Sequence, residues 1–255
     1  MNQKHAILTN FVQHAAEIPE QTANMEVVTI GHLTVVNSGL PCDTFNTIHV
    51  QGNFTSNELE QALEPFQSQN LPFCLWISQE YVNDSTIHDL QEAGLHCQAE
   101  EAGMILDLTA YEPISSDKHQ NIRKATSPEM IREFSQVIAN NWSPPDQEVI
   151  NFYEKTAPEF IQLKERVSLL SYYQDGEAVA TVEVFATDDQ VVGIHGLATL
   201  EDTRGHGIGS ALMTKVLNEA KAEGYLWAVL LATSDGAGIY QKLGFQTLTT
   251  FYEYA

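Results

Sequence analysis

Arg204-Gly-His-Gly-Ile-Gly-Ser210 constrains this 255-residue chain more than any other stretch, because it joins a set of strand-like segments to an amphipathic helical one. Glycines let the backbone turn with its N–H groups converging, and the helix that follows adds the partial positive charge of its N-terminus. Such a segment can hold a phosphate or pyrophosphate. A tight turn without a ligand is the plainer alternative. The Gly-Lys-Ser/Thr ending of a nucleoside triphosphate loop is absent, and the segments before the turn read as an antiparallel meander. A dinucleotide-binding unit, whose glycine turn follows the first strand of a βαβ unit, therefore fits poorly.

The meander is read from residues 166–174, 177–186 and 190–200, parted by the turn signals Asp175-Gly176 and Asp188-Asp189. From Ser210 to Glu223, the side chains of Leu212, Val216, Leu217 and Ala220 share one helical face, and Gly224 ends the helix. A buried strand at 227–232, a short helix at 237–243 closed by Gly244, and a strand at 245–254 follow. Upstream lie a strand-like 121–125, a helix opened by Ser127-Pro128-Glu129 and running to about Trp142, and a second helical stretch from Pro144-Pro145-Asp146 to about Phe160.

The first half alternates in the same way. Helical spacing at 5–18 precedes β-branched runs at 25–36, broken at Gly31, and a strand at 45–50. Thr55 or Ser56 caps a helix to about Gln69, residues 73–77 form a short apolar run, a helix at 86–93 ends at Gly94, and 102–108 is again apolar. The polar segment Tyr111–Gln120 carries one proline and no apolar periodicity, which marks a linker and puts a boundary near residue 115, between domains 1–115 and 116–255.

Charge narrows the partners. With 12 Lys and Arg against 34 Asp and Glu, the net charge is −22, and residues 1–120 hold only Lys4 and Lys118 as basic groups. A nucleic-acid partner is not expected, since neutralising phosphates needs clustered cations. No run of about 18 apolar residues is present, and the first 30 residues lack the pattern of a secretory leader, so we expect a cytoplasmic protein without a membrane partner. Cys42, Cys74 and Cys97 form no C-x-x-C pair, and neither a disulfide framework nor a metal site is expected.

Three stretches taken together, Val192–Leu200, then Arg204-x-x-Gly207-x-Gly209, then Ile239-Tyr-Gln-Lys-Leu-Gly-Phe245, resemble the GNAT (Gcn5-related) N-acetyltransferase family. The family loop reads Gln/Arg-x-x-Gly-x-Gly/Ala, and the Tyr-x-Lys-x-Gly-Phe pattern follows with one helix and one strand between. The resemblance covers about residues 120–255, and the element order of the first half resembles a shortened unit without the loop, as in tandem members. It implies an α/β (α+β) fold: a mixed, mostly antiparallel sheet flanked by helices, preceded by a smaller, degenerate GNAT-like domain.

The resemblance also implies roles. Acetyl-CoA would be the acyl donor, with no metal, and an amine of a small molecule, peptide or protein the acceptor. Amides of Arg204, Gly205, His206, Gly207, Ile208, Gly209 and Ser210 would cradle its pyrophosphate, and backbone groups along Leu197, Ala198 and Thr199 would pair with the pantetheine arm. An N–H near Leu197 would serve the oxyanion. Tyr240 would be the general acid toward the leaving thiolate, its alternative being an aromatic packed on a buried helix face. Family members place Asn seven residues before that tyrosine; here Thr233 stands there, followed by Ser234, and either hydroxyl is a candidate replacement. Glu183 is the candidate base, or else an exposed strand residue, with His195 as competitor; His206 is expected to face solvent or phosphate. The acid-rich surface favours a cationic acceptor. Variable loops and the early helices, here around Asn140–Pro145 and Phe152–Phe160, would shape the acceptor site. Monomer and homodimer both stay open, as does a coenzyme-A-binding module with weak or lost catalysis acting through a partner.

Overall fold

The computed structural model describes every residue except Met1, Asp189 and Asp235. In chain order its helices and strands begin α1 (Gln3–Gln21), β1 (Glu26–Ile30), β2 (Leu33–Asn37), β3 (Asn46–Val50), α2 (Ser56–Gln69), β4 (Cys74–Ser78), α3 (Asp84–Glu92) and β5 (Cys97–Asp107). They continue β6 (Ile122–Lys124), α4 (Pro128–Ala139), α5 (Gln147–Lys155), α6 (Ala157–Gln162), β7 (Val167–Gln174), β8 (Glu177–Ala186) and β9 (Val191–Thr199). The last are α7 (Ile208–Glu223), β10 (Trp227–Ala232), α8 (Ala237–Lys242) and β11 (Gln246–Tyr254). The chain divides into two compact units, one of residues 1–104, 231–241 and 246–255, the other of 105–230 and 242–245.

In the first unit the strands run in the order β1-β2-β3-β4-β11-β5. β1, β2 and β3 form an antiparallel meander, β3 pairs with β4 in parallel, and β4 pairs with β11 antiparallel. Strand residues alternate between faces. On one face α1 lays Phe11 edge-on against His49, Trp76 and Phe251. On the other, Leu59, Leu63 and Phe66 of α2 and Leu90 of α3 bury Ile48, Val50, Leu75 and Ile77. Burial of His49 pulls its pKa down to about 3, so this core histidine is neutral, with Thr47 Oγ1 at 2.8 Å from Nε2.

The second unit has the order β10-β9-β8-β7-β6. β6 through β9 are antiparallel and β9 pairs with β10 in parallel. Asp175 and Gly176 both take positive φ (53° and 92°), the two-residue turn whose twist suits a hairpin. At the next turn Asp188 Oδ1 accepts from the N–H groups of Gln190 and Val191, while Asp189, the other half of the expected turn signal, lies outside the described residues. Helices α4 and α7 both pack on β7, β8 and β9. Glu183 of β8 faces α4, as the close approach of Gly196 to both Glu183 and Phe134 shows, whereas Val184 and Ala186 line a groove with Val216 and Ala220 of α7. The two helices thus cover opposite faces. Both units repeat one order: a three-strand meander, a helix, and a strand parallel to the last of the three.

Segment 111–120 is less of a free linker than its composition suggests. Tyr111 is buried, and Asn218 of α7 accepts from its hydroxyl (3.2 Å) and from the Ile114 N–H (3.1 Å) while donating to the Ile114 carbonyl (2.9 Å). Lys221 Nζ donates to the carbonyls of Leu108, Thr109 and Tyr111. A polar helix face is here a docking strip for irregular backbone, which apolar periodicity does not report. Asn218→Ala removes three hydrogen bonds at once and should destabilise the protein by about 1–3 kcal/mol, read as a lower unfolding midpoint in a thermal melt.

Candidate active site

Strand β9 changes character halfway along. Its pairing with β10 ends at Gly193 opposite Val229, so from Ile194 onward the described register gives that edge no neighbour. On the β8 side, Glu183 pairs with His195 and Thr181 with Ala198, leaving two residues, Gly196 and Leu197, opposite Val182 alone. That is a β-bulge, and Gly196 takes φ +55° at it. Leu200 N–H donates to Val179 O, so by alternation the backbone groups of Thr199 and Leu197 point to the open edge. The Thr199 carbonyl is already taken by Arg204 Nε at 2.9 Å. Of the positions expected to pair with an extended ligand, Thr199 thus has its carbonyl engaged and its N–H left to give in this arrangement.

The loop beyond β9 delivers the start of α7. Gly205 and Gly207 take φ +78° and +74°, which non-glycine residues adopt only at a cost of about 1–2 kcal/mol each. Gly207 is the N-cap and no side chain caps the helix; its first turn carries no acidic residue. The helix begins at Ile208, two residues before the expected Ser210, which brings Gly209 into the first turn. A Cβ at Gly209 would meet only Thr199 Oγ1, at an ordinary 3.7 Å, and Gly205 and Gly207 have open space around the same position. The fold itself does not demand glycine at 209. Exposed amides, a helix dipole and bare backbone fit a phosphate group. His206 is exposed, with Nδ1 3.2 Å from Thr203 O, and Ser210 is exposed beside it.

Beside the bulge stands a buried carboxylate. Glu183 is 4% exposed, so it is not a solvent-facing strand residue, and Tyr153 of α5 donates its hydroxyl to Oε2 at 3.1 Å. His195 lies directly across from Glu183 on the neighbouring strand, which places the two candidate bases on one face. Phe152, Tyr153 and Phe160 of α5 and α6 are buried, and Tyr153 packs against the other two and against Phe134 of α4.

In the first unit, Tyr240 on α8 is half-buried against Gly236, and burial, aided by the Glu101 carboxylate, pushes its pKa up to about 12. Thr233 Oγ1 accepts from the Gly236 N–H at 3.3 Å, while Ser234 is exposed. Burial, with Glu253 nearby, raises the Glu101 carboxyl to about 7.

Residues 129–245 match the model of the acetyltransferase (GNAT) family. The chain carries a GNAT domain. Solved structures similar over nearly the whole chain include a GCN5-related N-acetyltransferase from Kribbella flavida (17% identity, 96% of this chain and 94% of that one, TM-score 0.65). A functionally unknown conserved protein from Staphylococcus epidermidis is similar at 16% identity over 92% and 95%, with TM-score 0.65. A tandem GNAT protein from the clavulanic acid biosynthesis pathway matches at 12% identity over 99% and 93%, with TM-score 0.61. At these identities the likeness is one of fold.

The first unit, which repeats the element order of the GNAT domain, closes the helix end that the GNAT domain leaves open. Thr55 Oγ1 accepts from the Glu58 N–H and Glu58 Oε2 from the Thr55 N–H, a reciprocal capping box on α2. Glu58 also fills the space beside Gly31, where an added Cβ would lie 2.1 Å from its Oε1. A carboxylate at the helix N-terminus satisfies and neutralises what would otherwise attract an anion. Among the described residues, no group of three or more His, Cys, Asp or Glu side chains could hold a metal ion, and no helix is long and apolar enough to cross a membrane.

Two residues of these clusters escaped the sequence reading, Tyr153 and Glu101. Neither belongs to a motif; Tyr153 is 30 positions from Glu183, and Glu101 sits in the polar start of β5, which carries no apolar signal. Glu101 supplies a sign-definite test. Its carboxyl holds a proton in the folded state up to pH near 7 but only to about 4.5 when unfolded, so it lowers stability as pH rises through that window. Glu101→Gln should leave the melting midpoint unchanged below pH 4.5 and raise stability at pH 8, by at most about 3 kcal/mol, in paired melts across pH.

Proposed function

We propose that the protein is an acetyl-CoA-dependent N-acetyltransferase, passing the acetyl group to an amine of a small molecule, peptide or protein by direct attack on the thioester. The observation that carries this reading is the uncapped start of α7 at Gly207, set beside the open edge of β9. The amides from Gly205 to Ser210 suit a pyrophosphate, the Arg204 N–H being given to the Glu201 carbonyl, and the N–H groups of Leu197 and Thr199, along β9 with Ala198 between, suit an extended arm. Bound acetyl-CoA supplies an activated acyl group at the end of that arm. We assign the catalytic domain to residues 116–255 and regard 1–115 as the degenerate GNAT-like domain, in keeping with its capped α2.

Each chemical task then has a residue. A primary ammonium with a pKa of about 10.4 is neutral in roughly one molecule in a few thousand at pH 7, so a base helps. Glu183 takes that role over His195, supported by its buried carboxylate and its fixed partner Tyr153. The bulge at Gly196-Leu197 interrupts the β8 ladder, and the Leu197 N–H is our donor to the oxyanion. Tyr240 is our general acid. With its pKa near 12 against about 8.5 for a thiol, it gives a hydrogen bond to the departing sulfur and does not surrender the proton outright. A net charge of −22 favours a cationic acceptor, an attraction that salt weakens. We place the protein in the cytoplasm.

Two variants test the reading. Gly209→Ala has room in the fold and gains helix propensity, up to about 1 kcal/mol, so its midpoint without ligand should hold or rise by a few degrees. The same variant should lose the upward shift that acetyl-CoA gives the native protein, about 2.7 kcal/mol at 100 times its dissociation constant. An unaltered shift would remove the loop from the binding site. Tyr240→Phe should keep that shift and lose at least about tenfold in amine-dependent thiol release. Equal release would remove Tyr240 from the general-acid role.

A further inference from the structure

The Tyr153 hydroxyl points into the one face of the second unit where both candidate bases stand, and its ring has little freedom. Tyr153 is 6% exposed, stacked on Phe160 (centroids 5.3 Å apart, planes 20° apart) and tilted against Phe134 at 5.3 Å. Phe152 meets it edge-on at 5.6 Å. A tyrosine held this way has its hydroxyl position set by packing. The hydroxyl reaches Glu183 Oε2 across two layers of structure, from a helix to a strand 30 residues later. Burial raises the Tyr153 pKa far above its ordinary value, with Glu183 adding to the effect, so the phenol keeps its proton and acts toward the carboxylate only as a donor.

We propose that Tyr153 is a positioning residue for the reaction: by donating to Oε2 it fixes the rotamer of Glu183, the carboxylate that receives the proton of the acceptor ammonium. This rests on Glu183 being the base. In that step one N–H bond of the ammonium breaks, an O–H bond forms on the Glu183 carboxylate, and the nitrogen keeps the electron pair with which it attacks the acyl carbon. A carboxylate free to rotate would offer either oxygen in several orientations, and the rate would fall with the fraction of time it is aligned. The packing that holds Tyr153 comes from α4, α5 and α6.

The test is a kinetic double-mutant cycle of Tyr153→Phe and Glu183→Gln, with thiol release from acetyl-CoA measured over a panel of primary amines and polyamines, spermidine among them. Tyr153→Phe keeps the ring and its packing. We expect it to lower kcat about tenfold with the KM for acetyl-CoA and the acetyl-CoA-induced melting shift unchanged, and to cost nothing further in the Glu183→Gln background. An equal loss in both backgrounds, or a change in KM alone, overturns the positioning role, because a packing defect acts whether or not residue 183 can accept a proton. Glu183→Gln with native turnover overturns the base assignment and the inference with it. A native protein that binds acetyl-CoA but releases no thiol with any of these amines overturns the transferase reading itself, a failure distinct from either of the others.

Discussion

The first turn of α7 has backbone donors and no side chain of its own to receive them, and much of the second unit is arranged around that deficit. Gly205 and Gly207 adopt left-handed backbone that turns the loop sharply into the helix, and Arg204 folds back onto the Thr199 carbonyl. The equivalent helix of the first unit solves the same problem internally. A capping box of the Thr55–Glu58 kind is worth about 1 kcal/mol, and the chain forgoes that stabilisation at Gly207 while keeping a positive pole open to solvent. Capped and uncapped ends are two answers to one requirement.

The bulge in β9 has a comparable economy. Before it, the strand is an ordinary member of the sheet, paired on both sides at Val191–Gly193. After it, the strand has one neighbour and a free edge. The slip of one residue also sets Glu183 and His195 opposite each other on the α4 face, where a Cβ on Gly196 would stand at ordinary contact distance from Phe134 and Ile138. One extra residue thus reorients a strand edge and aligns two titratable side chains.

The parts of this arrangement that were legible in the sequence are those with local signals. Glycines at 205, 207 and 209, the hairpin Asp175-Gly176, and the capping pair Thr55 and Glu58 each act within a few residues of themselves. The bulge left no trace beyond a glycine, because a register slip depends on the partner strand. Glu183 looked as ready for solvent as for chemistry; only α5, arriving from 30 residues upstream, decides its burial. The polar opening of β5, residues 97–101, gave no strand signal since its pairing comes from β11, at the far end of the sequence. The docking of 111–120 on α7 was hidden for the same reason, polar side chains serving irregular backbone.

β11 has a consequence for how the protein comes into being. Residues 246–254 lie between β4 and β5 in the strand order of the first unit, with Phe251 opposite Ser78 and Tyr254 opposite Leu75. On the ribosome, β4 and β5 emerge well over a hundred residues before the strand that separates them. Until then their inner edges must stay apart or pair wrongly with each other, and the contacts that finish the sheet are among the longest in sequence that the chain makes. The unit whose first strands emerge earliest is therefore completed only once residues 246–254 have emerged.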